Sequence, residues 1–322
     1  DGFKTTGNLL AGGTADNGLG GALLYSGTRG GDWRENSNTR IDDLILKGKY
    51  QLDDANSFNA MAQYYEGQAD MPGGLNVADY KADPYQSTRP YDKFWGRRTM
   101  FNVGYRYEQD RREFTANTFF TKTLRSGYLD QGTFLSLSPR EYWVRGLETR
   151  FAQGFDLGPT SHEVGVGYRY INEAGHELRY RTPISANNQQ IPSTDSRNDR
   201  DTRGGTEANA FFVDDRIDIG KWTITPGIRY EMIESQQSNN LTNVQYKGDY
   251  NTALPALNVL YHLTDSWNLY ANTEGSFGSV QYSQMPNRVT SGEVKPEKAR
   301  TWELGTRYDD GTLRAEIGAF LI

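Results

Sequence analysis

The sequence predicts an all-β fold, a transmembrane antiparallel β-barrel, on three observations. Apolar and polar residues alternate with a period of two along most of the chain. The connections between these runs are short and long in turn, as expected when neighbouring strands run up and down between two rims. Aromatic residues gather near the ends of the runs on their apolar side, where amphipathic rings suit a membrane interface.

Two runs precede residue 30, and others follow at 44–50 and 58–64. The clearest early strand sets Phe101, Val103, Tyr105 and Tyr107 against Asn102, Gly104 and Arg106. A run at 114–120 comes next, then Val164, Val166, Tyr168 and Tyr170 against Glu163, Gly165, Gly167 and Arg169. After 208–212, the series Ile224, Pro226, Ile228, Tyr230, Met232 alternates with Thr225, Gly227, Arg229 and Glu231. Runs at 255–263, 267–273 and 302–308 lead to a last one over 313–321. The expected total is roughly fourteen strands of about ten residues, the length that crosses a bilayer when tilted.

Tight turns are expected at 52–56, 109–112, 157–161, 220–221, 264–266 and 309–311. Long polar segments are expected at 70–95, 125–145, 173–205, 235–252 and 278–299. Short turns then share one rim and long loops the other. Tyr50, Tyr107, Trp222, Tyr261, Trp267, Trp302 and Tyr308 form the candidate interface aromatics. Lys47, Lys49, Arg106, Arg169, Arg229, Glu231, Arg314 and Glu316 fall on the polar face. Their interleaved signs fit a braced, wetted wall.

Composition narrows the function. The chain is 36% hydrophobic and 24% charged, and no apolar run is long enough for a membrane helix, a test that a barrel passes unseen. With no Cys, disulfides, thiolate metal sites and thiol nucleophiles are excluded. The net charge of −6 carries no basic stretch suited to nucleic acid. His162, His176 and His262 lack metal-ligand spacing, and no nucleophile elbow is present, so no enzyme and no bound metal are expected. The chain opens at Asp1 and stops at Ile322 inside an alternating run, so it reads as a piece of a longer wall.

The chemistry that remains sits in the long segments. Residues 123–146 read as a long rim loop, with Arg125 closing one strand and Arg140 preceding the next. Arg200 arrives on the same rim from the loop that follows. Guanidinium forks grip carboxylates and phosphates bidentately, so three of them together would make an anion site. Acids nearly balance bases in these segments, and solvated loop charges are the alternative.

The run VKPEKARTWELG at 294–305 resembles the strand entry common to the TonB-dependent outer-membrane transporters. The runs at 70–75 (DMPGGL), 89–96 (RPYDKFWG), 123–127, 138–140 (SPR) and 199–203 (DRDTR) are similar to those of the ferric citrate transporters within that family. The likeness extends along the whole chain and is loosest over 173–198. It implies a Gram-negative outer-membrane receptor with a twenty-two-stranded barrel. Residues 1–322 would then be the N-terminal two-thirds of the wall, with the plug domain and last strands outside this chain. It also implies energy from the inner-membrane protein TonB, and iron(III) citrate as transported ligand rather than cofactor. Arg125, Arg140 and Arg200 match the positions that hold the citrate carboxylates. Another anionic metal chelate, a passive porin or a barrel hydrolase are the competing readings.

Overall fold

The computed structural model describes residues 2–186, 188–285 and 295–322. Fifteen strands form one antiparallel sheet among them. They are β1 (Lys4–Thr14), β2 (Leu19–Gly31), β3 (Asn38–Gln51), β4 (Asn56–Asp70), β5 (Lys93–Gln109), β6 (Arg112–Asp130), β7 (Phe134–Leu137) and β8 (Arg140–Leu157). There follow β9 (Thr160–Pro183), β10 (Arg197–Ile219), β11 (Trp222–Asn239), β12 (Val244–His262), β13 (Trp267–Gly278), β14 (Glu297–Asp309) and β15 (Arg314–Leu321). Each pairs with its neighbours in chain order, except that β6 and β9 are bridged by β8 below and by the short β7 above. The one α-helix among the described residues, α1 (Val77–Ala82), lies in the loop between β4 and β5, capped by the Asn76 side chain.

The six tight turns fall where the sequence placed them, and one rim carries them all. Asp110 and Arg111 both take positive φ, 51° and 61°, the twist that lets a two-residue hairpin follow the right-handed twist of its strands. Adjacent turns are tied together on this rim by Glu108 N–H to Ala55 carbonyl, Gly154 N–H to Arg111 carbonyl and His262 N–H to Lys221 carbonyl.

The face assignments also hold. Phe101, Val103, Val166 and Ile228 are about half exposed, as wall residues without a protein partner should be. The register puts Asn102, Arg106, Arg169 and Arg229 on the other face. Along the turn rim Trp222 packs at a tilt against Tyr261, ring centroids 4.6 Å apart, and Trp267 meets Tyr308 edge-on at 6.3 Å. Trp302 lies well up its strand, away from that girdle.

Three expectations need correction. Residues 123–146 are not a long loop: β6 runs to Asp130, β8 starts at Arg140, and only 131–133 and 138–139 lie outside strands. The segments 173–205 and 235–252 shrink likewise to connections of 184–196 and 240–243. Strands other than β7 and β15 run from 11 to 24 residues, not about ten. The common cause is height. At about 3.3 Å per residue, β9 is far longer than the roughly 30 Å hydrocarbon layer, so its upper part meets water on both faces. Nothing there enforces an apolar face, and the alternation that marks a strand disappears.

Of the long connections, 71–92 is held down firmly. Arg34 donates to the carbonyls of Gly73 and Gln86 at 2.6 and 2.9 Å, and the Asn36 amide donates to those of Met71, Arg89 and Asp92. Residues 286–294, the middle of the expected segment 278–299 and the first residue of the VKPEK run, lie outside the described residues.

Candidate functional site

Arg125 and Arg140 are direct cross-strand partners on β6 and β8. The next partner along the row, on β9, is Glu177. Arg200 enters from β10 as the last residue of the unbroken β9–β10 register, beside Arg179 and within reach of the same carboxylate, and the register irregularity between Asn198 and Arg200 lies just above it. All of these side chains lie on the polar face, the face of Arg106 and Arg169.

The three predicted arginines therefore come together, around a residue the sequence reading did not name. Glu177 Oε2 lies 3.5 Å from Arg200 Nη1 and 4.0 Å from Arg140 Nε. Its Oε1 accepts the Tyr142 hydroxyl at 2.8 Å, and that hydroxyl accepts Arg125 Nη2 at 3.2 Å. Arg125 also lies over the Tyr142 ring at 5.2 Å, a cation–π contact that holds the guanidinium in one plane. The Glu177 side chain is 14% exposed, while Arg140 and Arg200 keep 30% and 40%. The cations can thus reach a ligand while their shared carboxylate lies beneath them.

Beside this cluster sits Tyr282, in the short 3-10 helix Tyr282–Gln284. Its ring rests on Gly175 of β9 and Gly204 of β10, which are partners in register, so the wall is bare of side chains there. Burial pushes its hydroxyl well above the ordinary tyrosine range, with the Tyr142 hydroxyl and the Glu177 and Glu173 carboxylates adding to the shift. Val280 and Met285 on either side are buried, and the Tyr250 hydroxyl points to the Met285 sulfur. The segment is docked on the inside of the wall.

A cavity of about 450 Å³ is lined by Arg125 and Arg140 together with Trp95, Arg97, Glu141 and His176. Register places those last four on the opposite face from the arginine head groups. By that register the cavity is a depression in the outside of the wall, apart from the space that the guanidiniums share.

Among the described residues, no catalytic set competes for the role. Thr160, His162 and Asp215 stand in nucleophile–base–acid order, with both contacts at 2.9 Å. The Thr160 hydroxyl, however, donates to the Leu157 carbonyl, so its proton is committed elsewhere. His176 pairs with Asp201 at 2.9 Å, and no serine or threonine oxygen bonds its ring among the described residues. Nor, among them, does any group of three or more His, Cys, Asp or Glu residues gather as a metal ion requires. Arg106 pairs with Glu108 and Glu113, and Arg314 with Asp309, near the turn rim and away from the cluster.

A family model described as TonB dependent receptor-like, beta-barrel, matches residues 5–322. The crystal structure of the ferric citrate transporter FecA in its unliganded form superposes with a TM-score of 0.94 at 64% sequence identity. It covers 99% of this chain and 48% of that one. The siderophore receptor PiuA from Acinetobacter baumannii superposes with a TM-score of 0.78 at 14% identity, over 97% of this chain and 54% of that one, a likeness of fold alone. The ferrioxamine B receptor of Salmonella typhimurium (strain LT2) is 20% identical over 296 residues, which is 86% of this chain and 40% of that receptor. The chain spans about half the length, or less, of these proteins.

Proposed function

Because the chain belongs to the TonB-dependent receptor β-barrel family, we propose that it is the ligand-binding part of the wall of an outer-membrane receptor that takes up ferric citrate. The observation that carries this reading is the convergence of Arg125, Arg140 and Arg200 on the single carboxylate of Glu177. A cluster that gathers around one carboxylate has the spacing to receive others. The 64% identity with a ferric citrate transporter supports that choice of ligand.

The chemistry is consistent. Citrate wraps iron(III) in its own oxygens, so the protein needs no metal ligands and recognises the outward carboxylates and net negative charge instead. Guanidinium forks match that task, since they offer two parallel donors to each carboxylate. In a partly enclosed site each such contact is stronger than in bulk water.

The rest of the receptor follows from the same reading. Proteins of this family lie in the outer membrane of Gram-negative bacteria, and the apolar face of the sheet would meet its lipid. Strands β1 and β15 each pair on one side only among the described residues. An open edge is costly in lipid, so further strands would complete the barrel. A plug and contact with TonB would supply closure and energy. Receptors of this kind move their ligand without chemical change, and the reading includes no catalysis.

Binding of ferric citrate to the purified full-length receptor tests the reading. Arg125→Ala, Arg140→Ala and Arg200→Ala should each remove a charge-assisted contact of about 1.5–3 kcal/mol, or roughly ten- to hundredfold in affinity. Lysine at the same positions should rescue only in part, because it keeps the charge and loses the fork. Arg106→Ala serves as the control. Unchanged affinity in all three rim variants would reduce them to solvated charges.

A further inference from the structure

We infer that Glu177 is a tethered occupant of the anion site, and that it makes the site selective for ligands offering more than one carboxylate. The inference rests on reading the arginine cluster as an anion site, and it concerns what fills that site between ligands.

Glu177 does the work of a bound carboxylate. It faces Arg140 and Arg200 directly and reaches Arg125 through Tyr142, so one part-buried side chain engages cations from three strands. The neighbouring cations are otherwise satisfied. Arg179 and Arg181 both hold Asp199, at 2.7 and 3.2 Å. Glu173, two positions down β9 on the same face, adds a second negative charge beneath the cluster, and bare Gly175 separates the two. Glu177 thus gathers and aligns the arginines, their mutual repulsion offset by a carboxylate of the protein itself.

Selectivity follows from that arrangement. A tethered anion competes at a high effective concentration for every incoming one. A lone monovalent or compact anion must replace Glu177 at one guanidinium and gains only about what it displaces. A ligand with several carboxylates bridges Arg125, Arg140 and Arg200 at once, gains contacts that one side chain cannot match, and displaces Glu177 once. The internal carboxylate thus discriminates against small anions far more than against a polycarboxylate chelate.

Glu177→Gln separates this role from a structural one. The glutamine keeps the shape and the acceptor for the Tyr142 hydroxyl but loses the charge. In the full-length receptor at fixed ionic strength, sulfate should bind about tenfold more tightly to Glu177→Gln than to the wild type, by loss of one competing charged contact. Ferric citrate should change less, so the ratio of the two affinities falls. Glu177→Asp, which keeps the charge, should restore the rejection of sulfate. Sulfate binding that is unchanged or weaker in Glu177→Gln would overturn the inference, as would uniform weakening of both ligands in both variants, the mark of a merely structural carboxylate. The sulfate arm stands apart from the ligand assignment. If the wild type fails to bind ferric citrate while Glu177→Gln gains sulfate, the tethered anion stands and the ferric citrate reading falls.

Discussion

Arg125 and Arg140 face each other directly across the β6–β8 ladder, two cations at a position where like charges oppose pairing. Such a pair survives when something nearby offsets its charge, and here the Tyr142 hydroxyl passes the pull of Glu177 on to Arg125 while Glu177 attracts Arg140 directly. Tyr142→Phe keeps the ring under Arg125 and removes the relay. Ferric citrate affinity should fall about two- to tenfold, the share of one net hydrogen bond, with the fold intact by circular dichroism. A loss as large as that of an arginine deletion would mean that Tyr142 touches the ligand itself.

The paired glycines under Tyr282 make a second test. A methyl at Gly175 would meet the Tyr142 ring at 2.9 Å and land on the Tyr282 hydroxyl; one at Gly204 would meet the Gln236 carbonyl at 3.0 Å and strike the Tyr282 ring. Either alanine should lift the segment 279–285 off the wall, seen as faster amide exchange there. Gly13→Ala, where the methyl meets open space, should leave the exchange unchanged.

Loop 71–92 should respond to Arg34. Its guanidinium ties Gly73 to Gln86 across the loop, charge-assisted contacts of about 1.5–3 kcal/mol each against an unfilled acceptor. Arg34→Ala should speed proteolytic nicking within 71–92 severalfold and leave the melting temperature of the barrel almost unmoved. Equal nicking in the two proteins would show that the Asn36 contacts suffice.

Asp92 gives the loop a pH dependence. Burial pushes its carboxyl above the ordinary range, outweighing the Asp130 N–H that it accepts and the charge of Arg89. A carboxyl whose folded pKa is raised favours the folded loop while protonated. That contribution is complete below the unfolded value near 3.9 and is lost as pH rises through the raised folded value. Asp92→Asn keeps an acceptor for the amide and removes the titration. The variant should be the firmer protein at neutral pH, and the difference in loop melting should vanish as the solution is acidified. A difference that grows on acidification would reverse the sign and refute the assignment.

Much of the wall was legible because lipid leaves a period-two record. Val166 and Ile228 could be assigned to a face from their neighbours alone, and the turn at 157–161 was visible in Gly158 and Pro159. The arginines were found, but their setting was misread as a loop, since strands standing in water on both sides keep no such record. Glu177 was missed although its position was within reach. Counting seventeen residues up each strand from the Leu157–Thr160 pair sets Arg140 opposite Glu177. Arg200 was beyond such counting, because β9 and β10 are joined through the long connection 184–196 and no tight turn sets their register.

The unbroken ladder from the turns up to Arg125 and Arg140 also limits how such a site can diverge. A loop accepts an inserted residue by bulging outward. In this ladder a single insertion would rotate every residue above it to the opposite face and carry Arg125 or Arg140 out of the cluster. Ligand preference here is therefore free to drift by exchanging side chains and closed to drift by changing length. New specificities in this wall should arise one substitution at a time on a frame whose spacing stays fixed.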